Sequence, residues 1–557
     1  MQPRPGREAP PNLTDYAAER AAFALEVPER FNPVVHLLES WALEEPEATA
    51  LVSLDGAGAE VARHSVYQLV DQARRAAHAF TTLGIAKGDR VFVMLPRTPA
   101  WYVAVLGLIR IGAVPMPGPN LLTARDIAYR LGRAEAVGVV TDLGGAAKVA
   151  EVAAELPTVR HRICWAGDGA HPVGWHALDA LLASSDGRDL PADPTAADDP
   201  MLIYFTSGTV AYPKMVLHTQ ASYGLGHVIT ARYWHDLRPG DVHWTVSDTG
   251  WAKAAWGKLF GQWHQRATVL QLDMGKPSAD LILRTLVEQK VTSFCAPPTL
   301  YRMLVLADLA SYDLSSLRHC TSAGEPLNPE VIRVWQRGTG GLTVYDGYGQ
   351  TETVNIVANY RSVPVRPGSM GLPTPGWDVD VVDDDGTPVG PGTVGNVAVR
   401  VAERRPLGLF TGYYRDDEAT AAAFRNGWYL TGDKASRDAD GYFWFEGRSD
   451  DVITSAAYRI GPFEVESALV EHPAVAEAAV VGKDDPDRTQ IVVAFCVLAP
   501  GRTGSAELTR ELQDHVKAVT APYKYPREIH YVEELPKTVS GKIRRTELRE
   551  ALREGRA

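Results

Sequence analysis

Cysteine is scarce: four in 557 residues, at Cys164, Cys295, Cys320 and Cys496. They make no C-x-x-C pair and no Cys/His cluster, which excludes a disulfide scaffold and a structural zinc site and fits a reducing cytoplasm. Each is read as a small buried residue. Long hydrophobic runs are also missing. The longest, WYVAVLGLIRIGAVPM from Trp101 to Met116, contains Arg110 and is too short to span a bilayer. Positive charge is in deficit, with 56 Lys and Arg against 68 Asp and Glu for a formal charge of −12. That excludes a general nucleic-acid or anionic-membrane surface but leaves local basic patches open. There is no internal repeat and no charged-then-apolar leader pattern. MQPRPGREAPPN is proline-rich and expected to be unstructured.

What is present is the length and texture of a multidomain α/β chain, since 557 residues exceed what one core supports. Apolar strand-like runs (VFVMLP at Val91, AVGVV at Ala136) alternate with helical patterns such as WYVAVLGLIR, the mark of βαβ units and layered α/β sheets. From Asp383 to Arg400 turn signals separate short apolar runs, which predicts a β-rich subdomain. A further change at Gly447 to Gly461 precedes a compact stretch, in which EVESALVEHPAVAEAAVVG reads as a helix, a break at Pro473 and a strand. The division expected is a large N-terminal portion and a small α+β C-terminal domain of roughly a hundred residues.

Five segments carry chemistry. TSGTVAYPK (Thr206 to Lys214) follows the strand-like MLIYF. Its small residues let backbone N–H groups close on phosphate oxygens, its hydroxyls add donors, and its lysine supplies a point charge. The Walker spacing is absent, and alone such a loop is usually a turn. DGYGQTE (Asp346 to Glu352), YLTGD (Tyr429 to Asp433), GRSDDVITSAAYR (Gly447 to Arg459) and PKTVSGKIRR (Pro536 to Arg545) follow in order. Together they resemble the adenylate-forming superfamily of acyl-CoA synthetases, luciferases and peptide-synthetase adenylation domains, over almost the whole chain. The resemblance implies a lead-in over 1–30, an AMP-binding domain over 31–449, a mobile domain over 450–557 and a hinge at Asp450. ATP or acyl-AMP, Mg²⁺ and coenzyme A are the implied cofactors.

Joining a carboxylate to the α-phosphate of ATP brings two anions together, so such catalysis is mostly charge neutralisation and positioning. Thr351 is then a phosphate donor and Glu352 a Mg²⁺ ligand, with Gly347 and Gly349 leaving room for adenine and the acyl chain. Asp433 suits the ribose hydroxyls. Lys542, in the loop SGKIRR, is the candidate adenylation lysine, because its flexible charged stem can swing in and leave. By the same resemblance Thr206, Ser207, Gly208, Thr209, Lys214, Gly324, Glu325, Asp346, Tyr348, Gln350, Arg448 and Arg459 bind nucleotide. Ala456, Ala457, Tyr458 and Arg488 border coenzyme A, with Lys517 and Lys524 nearby in sequence. SDTGWAKAAWGKLFGQW (Ser247 to Trp263) is most similar to the medium-chain acyl-CoA synthetases and makes Trp251 the acyl-pocket marker. His218 is expected to be structural.

Two loops depart from the family pattern. Val210-Ala211 stands where the family has Thr-Gly, and Ala457 where it has a glycine lining the pantetheine tunnel. A lost hydrogen bond to a charged phosphate costs about 1.5–3 kcal/mol, or one to two decades in rate. Acyl-AMP leaves the β- and γ-phosphate sites empty, so the loss would fall on ATP. The expectation is an acyl-CoA ligase with weakened or lost adenylation, fed its acyl-adenylate by a partner enzyme. The alternatives are a fully competent two-step synthetase, an enzyme loading a carrier protein, and a regulatory nucleotide-binding protein. The acid itself and any homo-oligomer stay open.

Overall fold

The computed structural model describes residues 9–167, 169–192, 194–206, 213–448, 451–455, 458–486, 488–537 and 543–556, with only the backbone at Tyr458 and Arg459. Two large sheets dominate. A five-stranded parallel sheet orders its strands Val114–Pro117, Arg90–Met94, Gly138–Asp142, His161–Trp165 and His176–Ala177. The expected βαβ unit is there: Arg90–Met94, the helix Pro99–Arg110, then Val114–Pro117. That helix is buried all round from Trp101 onward, the pattern of a core helix. Its one charge, Arg110, is satisfied by Glu39 Oε1 at 2.7 Å and the Pro191 carbonyl at 2.8 Å, so a run that looks membrane-like is a protein core. Among the described residues no helix is long and apolar enough to cross a membrane.

The second sheet has nine strands, with its parallel centre running through Val344–Gly349, His319–Ala323, Ser293–Ala296, Val242–Thr245, Thr268–Leu272 and Thr49–Leu54. Antiparallel strands close both edges. For the elements that build the site we use β1 (Pro200–Thr206), β2 (Lys214–Thr219), α1 (Lys253–Lys258), β3 (His319–Ala323), β4 (Val344–Gly349), β5 (Trp428–Arg437) and β6 (Phe443–Arg448). β1 and β2 form an antiparallel ribbon extended by Gly412–Tyr413. The β-rich subdomain is an antiparallel sheet of Val379–Val382, Gly395–Arg400, β5, Phe424–Arg425 and β6. Beyond it lies an α+β unit in which the helix Pro462–Glu471 and the strands Val475–Asp485 and Thr489–Leu498 enclose Val465, Leu469, Val480 and Val492. All four cysteines are free and buried.

One expectation is corrected. Residues 9–12, the described end of the stretch expected to be unstructured, dock on the large domain, as does the lead-in that follows. Arg361 donates to the Ala9 carbonyl at 2.9 Å, the Asn12 N–H to Asp236 at 2.7 Å and the Tyr16 hydroxyl to the Pro373 carbonyl at 2.7 Å, while Leu13 is buried. Proline removes its own N–H donor but not its carbonyl, so a proline-rich stretch can still be tied down by arginines.

Burial holds five imidazoles neutral. His218 and His243 are pushed down to about 3 and His319 to about 4, with His227 and His235 well below the usual value. Their folded pKa values are depressed, so the stability they contribute is whole above pH 6.5 and is lost as pH falls toward those depressed values, each adding about 1.4 kcal/mol per pH unit of slope. Asp346, pushed up to about 8 by burial, opposes this, as do Glu352 and Glu446, whose carboxyls burial also pushes up. The melting temperature should therefore drop steeply between pH 6.5 and 4.5. A flat profile there would mean these histidines are already charged in the folded chain.

Candidate active site

The candidate residues gather beyond the carboxyl ends of β3 and β4, the usual ligand crevice of an open α/β sheet. β4 runs through Asp346, Gly347, Tyr348 and Gly349 into Gln350-Thr351-Glu352. Tyr348 donates to Asp433 Oδ2 at 2.6 Å and Gln350 Nε2 to the same oxygen at 2.7 Å. Tyr429 in turn donates to Gln350 Oε1 at 2.9 Å. Asp433 is thus set by side chains from two motifs. It sits inside the strand β5, and Arg448 of β6 lies opposite it in register.

Glu352 is buried, and its Oε1 accepts from the Tyr413 hydroxyl at 2.9 Å. The Lys214 ammonium lies 4.5 Å from the centre of the Tyr413 ring. Burial pushes the Glu352 carboxyl up, against the opposing pull of the Tyr413 hydrogen bond and the Lys214 charge. Lys214 opens β2 directly opposite Thr206 at the end of β1. Ser207, Gly208 and Thr209, together with Val210 and Ala211, lie outside the described residues, as do Asp450, Ala456, Ala457 and Lys542. Tyr458 and Arg459 are placed by backbone alone, in the strand Tyr458–Ile460 paired with Ile453–Ser455.

Gly324, just past β3, has φ +106° and open space around its Cα, a conformation glycine accepts freely. Glu325 beside it pairs with Arg302 at 3.5 Å. Asp346 accepts from the Gly347 N–H at 3.0 Å and the Leu327 N–H at 3.4 Å. Lys253 of α1 donates to the Ala323 carbonyl at 2.7 Å, and its charge draws the Asp346 pKa down against burial.

The two glycines of β4 have a packing role beside the one expected of them. A Cβ at Gly347 would lie 2.5 Å from Asn355 Nδ2 and from the Trp234 ring, and one at Gly349 2.6 Å from Trp256. They admit the protein's own tryptophans to the back of the strand. Trp256, on α1, therefore meets the YGQTE loop, whereas Trp251 is half-buried in the turn before it. Arg488 is exposed. Lys517 pairs with Asp514 at 2.8 Å and Lys524 with Glu464, so both lysines already have carboxylate partners.

Sequence reading missed Tyr413, which lies in no recognisable motif, gave no role to Tyr429 at the head of YLTGD, and gave no contact for Trp256. Tyr413→Phe should destabilise the fold by about 1.5–3 kcal/mol where Glu352 is ionised and by less where it is protonated, because the lost donor serves the anion. Melting temperatures of both forms over a pH series check this, the deficit shrinking as pH falls through the raised Glu352 pKa. A deficit that is the same at every pH would mean that Tyr413 does not act through the Glu352 charge.

Residues 38–414 match the family model described as AMP-binding enzyme, and 464–542 that described as AMP-binding enzyme C-terminal domain. The chain is 44% identical to the acyl-coenzyme A synthetase ACSM3, mitochondrial, of Mus musculus over 97% of its own length and 94% of that protein. It is 45% identical to ACSM5, mitochondrial, of Homo sapiens over 94% and 91%. A crystal structure of the anthranilate CoA ligase AuaEII in complex with anthranoyl-AMP superposes with TM-score 0.88 at 30% identity, covering 95% of this chain and 99% of that one. The mitochondrial names of these relatives overturn the expectation of a cytoplasmic location. Buried cysteines far apart in the chain do not say which compartment holds it.

Proposed function

Since the chain belongs to the AMP-binding enzymes, we propose that it joins a carboxylic acid to the thiol of coenzyme A by way of an acyl-AMP, as an acid–thiol ligase of the acyl-CoA synthetase type. The observation that carries this reading is the coupling of Asp433 to Glu352. Tyr348 and Gln350 orient one carboxylate, and two residues beyond Gln350 Tyr413 orients the other. A ribose acceptor and a phosphate-side anion on one short segment suit a nucleotide whose α-phosphate must meet a second anion.

Glu352 fits a divalent cation. It is a buried carboxyl with one oxygen held by Tyr413, and among the described residues no lysine or arginine lies within ion-pair distance of it. Glu352 would hold Mg²⁺, which when bound supplies charge neutralisation between the two anions, and the Thr351 hydroxyl donates to phosphate. Asp433 accepts the ribose hydroxyls, Lys214 and Thr206 face the phosphates, and Arg448 and Arg459 add guanidinium donors. Gly324, Glu325 and Asp346 border the adenine. Lys542 brings a mobile positive charge to the reacting carboxylate, and the unit beyond Asp450 turns about that hinge to admit the thiol along Ala456, Ala457 and Tyr458. Arg488, exposed and charged, serves the phosphates of coenzyme A. Relatives named as ACSM acyl-coenzyme A synthetases, and a structural neighbour holding anthranoyl-AMP, support a medium-chain or aryl acid. Trp251 borders its pocket.

Adenylation is the weaker half-reaction on this reading, because Val210-Ala211 removes a hydroxyl and adds a methyl group where pyrophosphate departs. Offering each acid of a panel either free, with ATP, Mg²⁺ and coenzyme A, or as preformed acyl-adenylate with coenzyme A tests it. Thioester should form about ten- to a hundredfold faster from the adenylate, and Val210→Thr with Ala211→Gly should close most of that gap. Equal rates from both would show that the two residues are tolerated and that the chain is a fully competent synthetase.

A further inference from the structure

β2 does more than carry Lys214. Lys214, Val216 and His218 share one face of the strand, since side chains alternate with period two. At the start of this face Lys214 lies over Tyr413, the donor to Glu352. At its far end His218 Nε2 is 2.8 Å from the Thr351 carbonyl. The Tyr223 hydroxyl donates to that same carbonyl at 2.5 Å, and its ring stacks on the His218 ring with centroids 3.4 Å apart. A carbonyl only accepts, so Nε2 carries the proton, and Nδ1 accepts from the Ser222 hydroxyl at 3.0 Å. Burial keeps the ring neutral. The next carbonyl, that of Glu352, accepts from the Phe410 N–H at 2.8 Å.

We propose that His218 and Tyr223 are positioning residues for acyl-adenylate chemistry: sharing the Thr351 carbonyl, they fix the Thr351–Glu352 segment on the strand that presents Lys214. The inference rests on the reading that this segment meets the nucleotide phosphates. Lys214, the Thr351 hydroxyl and the Glu352 carboxylate then keep one mutual spacing because a single strand holds the segment from both ends. Neither residue touches substrate.

A shared acceptor has a signature. Loss of one donor leaves the carbonyl served, whereas loss of both orphans it in a closed space. His218→Leu and Tyr223→Phe should each slow thioester formation from free acid by no more than about tenfold, and the double variant by well over the product of the two. The affinity for a non-reactive alkyl-AMP ester, read by calorimetry, should fall with the same non-additivity while the KM for the acid stays put. His218→Gln, which keeps an N–H at the right reach, should recover most of the activity lost in His218→Leu. Multiplicative losses, losses that follow melting temperature, or a glutamine no better than leucine would each overturn the proposal. Glu352→Gln, run in parallel, separates the two levels. Activity retained there overturns the reading of the segment as well; activity lost there, with the double variant at the wild-type rate, overturns the positioning role alone.

Discussion

The hydrogen bond from Tyr413 to Glu352 is the contact on which the site depends. It donates to a carboxyl that burial pushes toward its neutral form, and Lys214 over the Tyr413 ring adds positive charge at the far side. Together with the backbone N–H of Glu352, these two influences favour the carboxylate against the upward push of burial. Tyr413 belongs to the strand that extends the β1–β2 ribbon, facing Val216 in register. The ribbon that bears the lysine therefore also supplies the donor that keeps the carboxylate ready. Asp433 is treated in parallel fashion, with Tyr348 and Gln350 as its donors.

Much of this was legible along the chain. The runs at Val91 and Ala136 and the helix between them and the first strand's partner appear as read, and so do the helix and strand on either side of Pro473. The motifs identify Thr351, Glu352 and Asp433 because such chemistry needs those residue types in a fixed local order. What could not be read is what reaches across the chain. Tyr413 meets a residue 61 positions away, and Tyr223 and His218 meet one 128 and 133 positions away. A single tyrosine or histidine in a strand or short helix gives no local sign of such a partner. The packing role of Gly347 and Gly349 was hidden for a related reason. Their small size is needed for close packing, and sequence alone cannot say whether a ligand or a tryptophan takes the space.

The surroundings are built to hold rather than to adapt. Tyr223, His218, His227, Trp234 and Trp256 lie buried behind the segment, stacked or edge-on at centroid distances of 3.4 to 6.3 Å. Close-packed interiors transmit small displacements, so a rigid backing suits chemistry in which the approach of two anions must be guided closely. In the proposed division of labour, the departures at Val210 and Ala211 act on the triphosphate alone, while the elements that hold the adenylate are intact among the described residues.

The central claim is that the acid is activated as an acyl-AMP on this site before coenzyme A takes part. Rapid quenching of enzyme in excess over a medium-chain or aryl acid, with ATP and Mg²⁺ but no coenzyme A, tests it most directly by mass spectrometry. The account predicts enzyme-bound acyl-AMP that accumulates and is then consumed to acyl-CoA and AMP when the thiol is added. Formation of ADP, or of thioester on adding the thiol with no acyl-AMP at any earlier time, would contradict it.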